Sequence, residues 1–178
     1  MTASELLPLM AVVSGFLIMR IGEQRVHRAN ADFLAVVGGE ELIHNAMRGY
    51  YTLNLLVILP AAAEGLLLRQ PRTDLSQLLG IGLLLAGTGL RMWTVRTLGR
   101  FWTMRCIFVP GTPRVVSGPF RFVAHPEYLS RLGEIFGICL YLGAYFSALL
   151  YFVVAFKFLI FIVKIESRQL GELAWGTL

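Results

Sequence analysis

Long apolar stretches separated by short polar connectors are the feature that most constrains the fold of this chain of 178 residues. About 20 predominantly apolar residues are enough to cross the hydrocarbon core of a bilayer as a helix. Because the backbone polar groups of such a segment must be satisfied within it, the pattern predicts an all-α integral membrane protein with about five transmembrane helices. The predicted spans are residues 6–21, 50–68, 75–93, 132–144 and 146–163.

The composition agrees with a membrane protein and argues against a nucleic-acid-binding one. Charged residues make up only 15% of the chain and hydrophobic residues 56%, with a mean hydropathy of +0.67, whereas soluble domains average about 25% charged residues. The formal net charge is +5, but the basic residues adjoin the apolar runs, where the positive-inside rule expects them. Nucleic acid is therefore not predicted as a partner. The same rule predicts an outside N-terminus and a cytoplasmic C-terminus.

Glycine and proline predict where the helices end, bend or approach one another. Gly38 and Gly39 are expected to end any helix that follows the first span, and Gly143 to mark the turn of an apolar hairpin. Pro60 is expected to kink the second span. Small residues let membrane helices pack closely, and the third span carries four glycines, namely Gly80, Gly82, Gly87 and Gly89.

Between the third and fourth spans lies the one long polar passage of the chain, residues 99–134. In so apolar a sequence, such a passage is where chemistry can meet water, and the charge rule places it in the cytoplasm. It is therefore the predicted functional region. Its basic residues are Arg100, Arg105, Arg114, Arg121 and Arg131, and its prolines are Pro110, Pro113, Pro119 and Pro126.

A helix is predicted to begin inside this passage at Pro126, because proline suits the first helical position, and His125 then lies at or next to the N-cap. Glu127, Arg131 and Glu134 follow at helical spacings of four and three, so they share one face. A helix start with a histidine, unpaired backbone N–H groups and nearby arginines suits an anionic or carboxylate-bearing ligand. The alternative is an interfacial helix whose arginines contact lipid phosphates.

The segment GPFRFVAHPEYL, residues 118–129, resembles the GPYRYxRHPxY signature of the isoprenylcysteine carboxyl methyltransferase family, small integral-membrane enzymes that use S-adenosylmethionine. Ala124 stands where the family often has arginine, and Glu127 where asparagine or serine is usual. The signature is shared with phospholipid N-methyltransferases and, more loosely, with membrane sterol reductases, so by itself it indicates a superfamily. The matching residues are Gly118, Pro119, Phe120, Arg121, Phe122, His125, Pro126 and Tyr128.

Two further stretches are similar to a bacterial branch of that family, whose members are often encoded beside type III polyketide synthases and O-methylate alkylpyrones or alkylresorcinols. Residues 20–51 resemble its RxxExxxAxxNxxxxxxxGxxExxxxHYxxM block, and residues 90–111 its RxWxxxxLGxxWTxRxxxxPG segment. The positions carried over from the first are Glu23, Arg28, Asn30, Gly39, Glu41 and Tyr51. Those from the second are Arg91, Trp93, Leu98, Gly99, Trp102, Thr103, Arg105, Pro110 and Gly111.

The resemblance implies a single methyltransferase domain over residues 1–178 in the inner (plasma) membrane of a bacterium. The implied cofactor is S-adenosyl-L-methionine, bound by a cytoplasmic region of residues 91–134 and 160–172, and the implied partners are a lipidic small-molecule acceptor and membrane lipid. The resemblance implies that Arg121 and the helix start bind the cofactor carboxylate. It also implies that a glutamate binds the cationic groups of the cofactor and that an aromatic ring stacks on its adenine. The implied cofactor-binding residues are Trp102, Arg105, Gly118, Arg121, His125, Pro126, Tyr128, Glu134 and Glu166. The implied catalytic residues are His125, Glu41 and Glu166.

The end of the last predicted helix departs from the family. The usual RIxxEExxL is replaced by KIESRQL, with Lys164 for the arginine and Glu166 as an offset carboxylate. Three alternatives follow: Glu166 and Glu172 take over the missing role, the cofactor binds more weakly, or methyl transfer is lost.

Several functional hypotheses therefore remain at this point. Methylation of a phenolic or pyrone lipid is favoured over a prenylcysteine carboxyl methyltransferase or a phospholipid N-methyltransferase. A non-catalytic lipid-binding membrane protein and a membrane reductase are alternatives of other classes. No metal site is predicted, because His27 and His44 lack a second ligand at zinc-like spacing and Cys106 and Cys139 are far apart.

Overall fold

The computed structural model describes residues 3–42, 44–68, 72–113 and 115–175, and most of these are α-helical, which confirms a mainly helical fold. Two short 3-10 turns, Gly99–Phe101 and Gly118–Arg121, lie in the passage between the fourth and fifth helices. We call residues 99–125 the central segment. The helices are α1 (Ala3–Val36), α2 (His44–Leu56), α3 (Ile58–Leu67), α4 (Asp74–Leu98), α5 (Pro126–Leu142) and α6 (Tyr145–Trp175).

A small antiparallel strand pair is present in addition to the helices that the all-α prediction expected. Strand β1 (Glu40–Glu41) pairs with β2 (Ile107–Phe108), with Glu40 opposite Phe108 and Glu41 opposite Ile107. A ladder of two residues is too short to show an alternating pattern in the sequence. The pair attaches the α1–α2 connection to the central segment.

Three of the five predicted spans correspond to helices long and apolar enough to cross a membrane in the described part of the chain. They are Asn45–Leu67, Asp74–Phe101 and Tyr145–Ile165. The predicted spans 6–21 and 132–144 lie in α1 and α5 and stay predictions as membrane spans. The fold is therefore that of a helical integral membrane protein.

Helix α1 continues well beyond the predicted end of the first span. The expected loop or interfacial helix after residue 21 is instead the continuation of one helix to Val36. Alanine, glutamate, glutamine and arginine recur in this stretch and favour helix. The helix ends where Gly38 takes a positive φ of 82°, as the Gly38–Gly39 break predicts.

The second span is divided into α2 and α3 close to Pro60, as predicted. Pro60 has no N–H group to donate to the carbonyl of Leu56, and α2 ends at that residue. Val57 keeps helical dihedral angles of −65° and −21°, so the chain bends without leaving the helical region.

Helices α4 and α5 pack closely through glycines. A Cβ atom at Gly80 would lie 2.7 Å from the carbonyl oxygen of Gly137, and one at Gly87 would lie 2.8 Å from that of Ser130. The predicted role of the third-span glycines is therefore confirmed for these two. Gly82 has no atom within 4 Å of such a Cβ and faces away from the described bundle.

The turn between α5 and α6 is fixed by a carboxylate from another helix. Gly143 ends α5 in the left-handed region with φ 70°, which confirms the predicted hairpin turn. The buried carboxylate of Glu64 accepts hydrogen bonds from the N–H groups of Phe146 (2.8 Å) and Ser147 (2.7 Å) and from the Ser147 hydroxyl (2.7 Å). Glu64 therefore caps α6 and joins it to α3.

The bundle has two different ends. At what we call the hairpin end, Arg72 donates to the carbonyl of Gly65 (3.2 Å), and Gly65 packs on Leu142 beside the α5–α6 turn. At the opposite loop end, the second half of α1, the strand pair, the central segment and the start of α5 come together. The candidate functional site lies at the loop end.

Candidate functional site

Arg91 of α4 is the centre of a buried group of charged side chains. Its side chain is 1% exposed, and its guanidinium contacts both carboxylate oxygens of Glu23 on α1, with Nη2 2.9 Å from Oε2. Its Nη1 donates to Glu127 Oε1 on α5, and its Cζ lies 5.6 Å from the centre of the Trp102 ring. One arginine thus joins α1, α4, α5 and the central segment.

Three further charged residues complete this group. Arg20 pairs with Glu23 at 2.9 Å and with Glu134 at 3.1 Å. Arg131 pairs with Glu23 at 3.2 Å and with Glu134 at 3.6 Å, and its Nε lies 3.9 Å from Glu127. The predicted common face of Glu127, Arg131 and Glu134 is therefore confirmed. We call Arg20, Glu23, Arg91, Glu127, Arg131 and Glu134 the charge network, in which three positive and three negative formal charges balance.

Burial shapes the electrostatics of this network. It raises the pKa of the Glu23 carboxyl above its ordinary value, although the guanidinium groups of Arg91 and Arg20 act in the opposite direction. Two neutral groups add support at Glu127, namely the Trp102 indole N–H (3.3 Å) and the Tyr51 hydroxyl (3.4 Å). Hydrogen bonds therefore support the Glu127 side of the network, whereas Arg20 Nε, Arg131 Nε and Glu134 Oε2 are buried without a hydrogen-bond partner among the described residues.

The second half of α1 holds the central segment in place. Asn30 Nδ2 donates to the carbonyl oxygens of Gly99 (3.1 Å) and Trp102 (2.7 Å). One turn earlier, His27 Nδ1 accepts from the backbone N–H of Met104 at 3.1 Å. Burial lowers the pKa of His27, and the positive charge of Arg105 lowers it further. These bonds anchor the polar passage that sequence alone marks as functional.

The chain enters α5 as predicted, with Pro126 as the first helical residue and His125 at the N-cap position. The His125 side chain makes no capping hydrogen bond to the helix, and its ring stacks on Tyr128 at 5.5 Å with an interplanar angle of 21°. Gly118, with φ 59°, starts the preceding 3-10 turn, and a Cβ there would lie 2.4 Å from Thr97 Oγ1. Only glycine fits this turn without displacing α4.

An aromatic cluster lies behind His125 and Tyr128. The Tyr50 ring packs edge-on against Tyr128 at 5.5 Å and is stacked with Phe158 of α6 at 6.3 Å. Met47, Tyr51 and Ile162 belong to the same cluster, and the Tyr128 hydroxyl contacts Met47 Sδ at 3.7 Å. The cluster therefore joins α2, α5 and α6 at the loop end. We refer to Met47, Tyr50, Tyr51, Tyr128, Phe158 and Ile162 as the aromatic cluster.

The predicted catalytic residues lie around this cluster on three different elements. His125 stacks on Tyr128, and Glu41 directly precedes Leu42, which packs on the cluster. Glu166 follows Ile165, another neighbour of the cluster, but its side chain lies outside the described part of the structure. All three positions therefore adjoin the cluster in the chain, and their catalytic roles stay predictions.

The predicted cofactor-binding residues separate into two groups. Arg105 pairs with Glu41 at 3.4 Å beside the cluster, and Arg121 is exposed on the turn that leads to His125. Trp102 is 1% exposed and Glu134 is 0% exposed, and both belong to or contact the charge network instead. Gly118, Pro126 and Tyr128 lie on the turn and the helix start that connect the two groups.

Sequence reasoning did not place Arg20, Glu23, Arg91 and Arg131 at a common site. The available signal was local: charged residues inside apolar helices usually face the bundle interior and pair with one another. Such a signal identifies candidates but not partners, because Arg91 and Glu23 are separated by 68 residues.

The fold and the candidate site define a helical membrane protein whose polar candidate site is gathered at one end. The sequence profile of the isoprenylcysteine carboxyl methyltransferase (ICMT) family matches residues 79–172, more than half of the chain, and the chain belongs to that family. It is also similar to the uncharacterized protein YpbQ of Bacillus subtilis (strain 168), with 28% identity over 163 residues that cover 90% of this chain and 95% of the relative. No solved structure matches the chain. Family membership indicates a membrane methyltransferase.

Proposed function

We propose that the protein transfers a methyl group from S-adenosyl-L-methionine to a lipidic acceptor at the loop end of the bundle, with a phenolic or pyrone lipid as the favoured acceptor. The observation that carries the proposal is the start of α5, where His125 stacks on Tyr128 at 5.5 Å in front of the aromatic cluster. This helix start lies within residues 79–172, which match the family profile, and at the end of the segment 118–129 that resembles the family signature.

The residues at this helix start fit the chemistry of the cofactor. When bound, S-adenosyl-L-methionine supplies an electrophilic methyl group on a sulfonium centre together with a carboxylate, an ammonium and an adenine. The first backbone N–H groups of α5 favour a carboxylate, and the exposed Arg121 lies one short loop away. The Tyr50 hydroxyl, which is buried and makes no well-formed hydrogen bond to any described residue, would be available to a polar ligand at this cluster.

The residues of the chain would act mainly by positioning. A methyl transfer needs the acceptor atom in line with the bond that breaks, so rate depends on orientation and on the surrounding field. For a phenolic or enolic acceptor, His125 or Glu41 would take the acceptor proton as general base. Trp102 and Glu134 would hold the central segment through the charge network instead of contacting the cofactor.

Calorimetric binding to the purified protein tests this function. S-adenosylmethionine and S-adenosylhomocysteine are expected to bind with micromolar affinity, and Arg121→Ala is expected to weaken both. Arg96→Ala removes another exposed arginine near the end of α4 and serves as the matched control. If neither ligand binds up to millimolar concentration in folded protein, the proposal fails.

The class of acceptor requires product analysis. Incubation with a radiolabelled methyl donor and lipid extracts would label an ether, an ester or an amine, which differ in base lability. A base-stable ether would support the phenolic or pyrone lipid. A base-labile ester would favour a prenylcysteine carboxyl methyltransferase, and a labelled amine a phospholipid N-methyltransferase.

The changed tail of α6 favours one candidate of another class. KIESRQL lacks the paired glutamates of the family tail, which is expected if the protein binds lipid without catalysis. The calorimetric experiment separates the two, because a non-catalytic lipid-binding protein need not bind the methyl donor at all.

A further inference from the structure

The hydroxyl of Tyr50 is a buried polar group in a candidate membrane-spanning helix that has no hydrogen-bond partner among the described residues. Tyr50 is 0% exposed, and its hydroxyl oxygen makes no hydrogen bond to any described residue. A buried hydroxyl without a partner is unfavourable compared with a phenylalanine of the same shape. Stability of the folded protein therefore does not explain why this position carries a tyrosine.

The nearest polar groups along the same helix are already paired with one another. Asn54 Nδ2 donates to the backbone carbonyl of Tyr50 at 2.6 Å, and Asn54 Oδ1 accepts from the Tyr151 hydroxyl at 2.5 Å. This pairing joins α2 to α6, as polar side chains commonly do between membrane helices. It accounts for Asn54 and Tyr151, whereas the Tyr50 hydroxyl lies close to the Asn54 side chain but makes no well-formed hydrogen bond to any described residue.

The position of Tyr50 indicates which ligand would reach it. Tyr50 lies five residues inside the candidate span Asn45–Leu67, a depth of about 8 Å at the helical rise per residue. Its ring contacts Tyr128, on which His125 also stacks. Tyr50 therefore lies inside the candidate span and one aromatic ring away from the signature helix start, where a lipid with its tail in the membrane would place its polar end.

We propose that the Tyr50 hydroxyl is an acceptor-binding group that hydrogen-bonds the phenolic or enolic end of the lipid to be methylated. This inference rests on the proposed function, because it assigns the acceptor side of the same site. Tyr50 binds and orients the acceptor, and the aromatic rings around it provide the apolar walls that exclude water from the reacting oxygen.

The experiment compares two phenylalanine variants of the full-length protein in lipid nanodiscs. Tyr50→Phe removes the unpaired hydroxyl, and Tyr151→Phe, the matched control, removes a hydroxyl that is paired with Asn54. Two probes with the same alkyl tail are added, pentadecylresorcinol, which carries phenolic hydroxyls, and pentadecylbenzene, which does not. Thermal unfolding is measured with each probe and without ligand, and affinity is measured for pentadecylresorcinol.

Without ligand, Tyr50→Phe is expected to unfold at the same or a higher temperature than the wild type, whereas Tyr151→Phe unfolds at a lower one. Pentadecylresorcinol is expected to stabilise the wild type more than pentadecylbenzene does. Tyr50→Phe should abolish that difference and weaken pentadecylresorcinol binding about threefold to tenfold, as expected for one hydrogen bond. Tyr151→Phe should retain the difference.

Three results would overturn the inference. A lower unfolding temperature for Tyr50→Phe would show that the hydroxyl already has a stabilising partner. Equal effects of the two probes on the wild type, or a preserved preference for pentadecylresorcinol in Tyr50→Phe, would show that this hydroxyl does not recognise a phenol. The test needs no methyl donor, so a failure of the donor to bind would contradict the proposed function without affecting this result.

Discussion

Arg91 has the most demanding environment of any single residue in the charge network. Its guanidinium forms ion pairs with both Glu23 and Glu127 and lies over the Trp102 ring. Only 1% of the side chain is exposed. Removing one member of a buried ion pair leaves its partner buried without compensation, at a typical cost of about 3–5 kcal/mol. We expect Arg91→Met to lower the free energy of unfolding by that amount, measured by denaturant unfolding in detergent.

Arg96→Met, an exposed arginine on the same helix, provides the control and should change the free energy of unfolding by less than about 0.5 kcal/mol. Equal effects of the two substitutions would show that the network contributes no more to stability than a surface charge. Arg91→Lys would keep the charge but lose the planar fork that contacts two carboxylates, so it should lie between the wild type and Arg91→Met.

His27 makes the stability of the loop end depend on pH. Its pKa is lowered by burial, and its Nδ1 accepts the Met104 N–H, a bond that a doubly protonated ring cannot make. The unfolded chain therefore binds more protons than the folded one at pH values between the lowered pKa and the ordinary value of about 6.5. Stability is fully present above about pH 6.5 and is lost as the pH falls below it.

The measurement is the thermal midpoint at about pH 7.5 and about pH 5.5 for the wild type and for His27→Gln. The wild type should lose more stability on acidification than the variant, by at most about 1.4 kcal/mol per pH unit. If both proteins respond equally to pH, protonation of His27 is not linked to unfolding.

The placement of a single residue could be predicted from the sequence where it depends on neighbouring residues, but not where it depends on contacts with distant ones. His125 was placed correctly at the start of α5 because proline fixes the first helical position in the sequence itself. The bonds from Asn30 to Gly99 and Trp102 were not predictable, since they join residues about 70 positions apart. A tyrosine whose hydroxyl is unpaired, such as Tyr50, can be recognised only once its surroundings are known.

At the scale of helices, the contact between α4 and α5 depends on residues without side chains. A Cβ at Gly80 would lie 2.7 Å from both the Gly137 oxygen and the Tyr141 nitrogen. Overpacking of a close contact costs about 1–3 kcal/mol. Gly80→Ala is therefore expected to lower the thermal midpoint.

Gly82→Ala on the same helix is the matched control, because its Cβ would have no atom within 4 Å. Alanine is a better helix former than glycine, so this variant should be neutral or slightly more stable. An equal loss in both variants would place the origin of the effect in the helix itself and not in its contact with α5.

Apolar length and breakers predicted the helices well, whereas contacts between distant segments were not predictable. The kink near Pro60 and the turn at Gly143 follow from the backbone chemistry of those residues. The continuation of α1 to Val36 was missed because residues 22–36 are polar enough to be read as a connector. Their helix is fixed by bonds to the central segment, such as that of His27 to Met104.

At the scale of the whole molecule, charge is distributed unequally between the two ends of the bundle. The hairpin end carries Arg72 among its described residues, whereas the loop end carries many more basic side chains. The positive-inside rule then predicts that the loop end faces the cytoplasm. This orientation would also place the proposed cofactor site where a water-soluble methyl donor is made. The basic residues at the loop end include Arg25, Arg28, Arg96, Arg100, Arg105 and Arg121.

Labelling of single cysteines tests this orientation. In a variant whose native Cys106 and Cys139 are replaced, Asp74→Cys marks the hairpin end and Ser117→Cys the loop end, and both positions are exposed. In bacterial spheroplasts, a membrane-impermeant maleimide should label Asp74→Cys directly and Ser117→Cys only after the membrane is permeabilised. The opposite pattern would place the loop end outside the cell. Labelling of both in intact spheroplasts would mean that the two ends do not lie on opposite sides of the membrane, which would contradict the arrangement of spans from which the site was inferred.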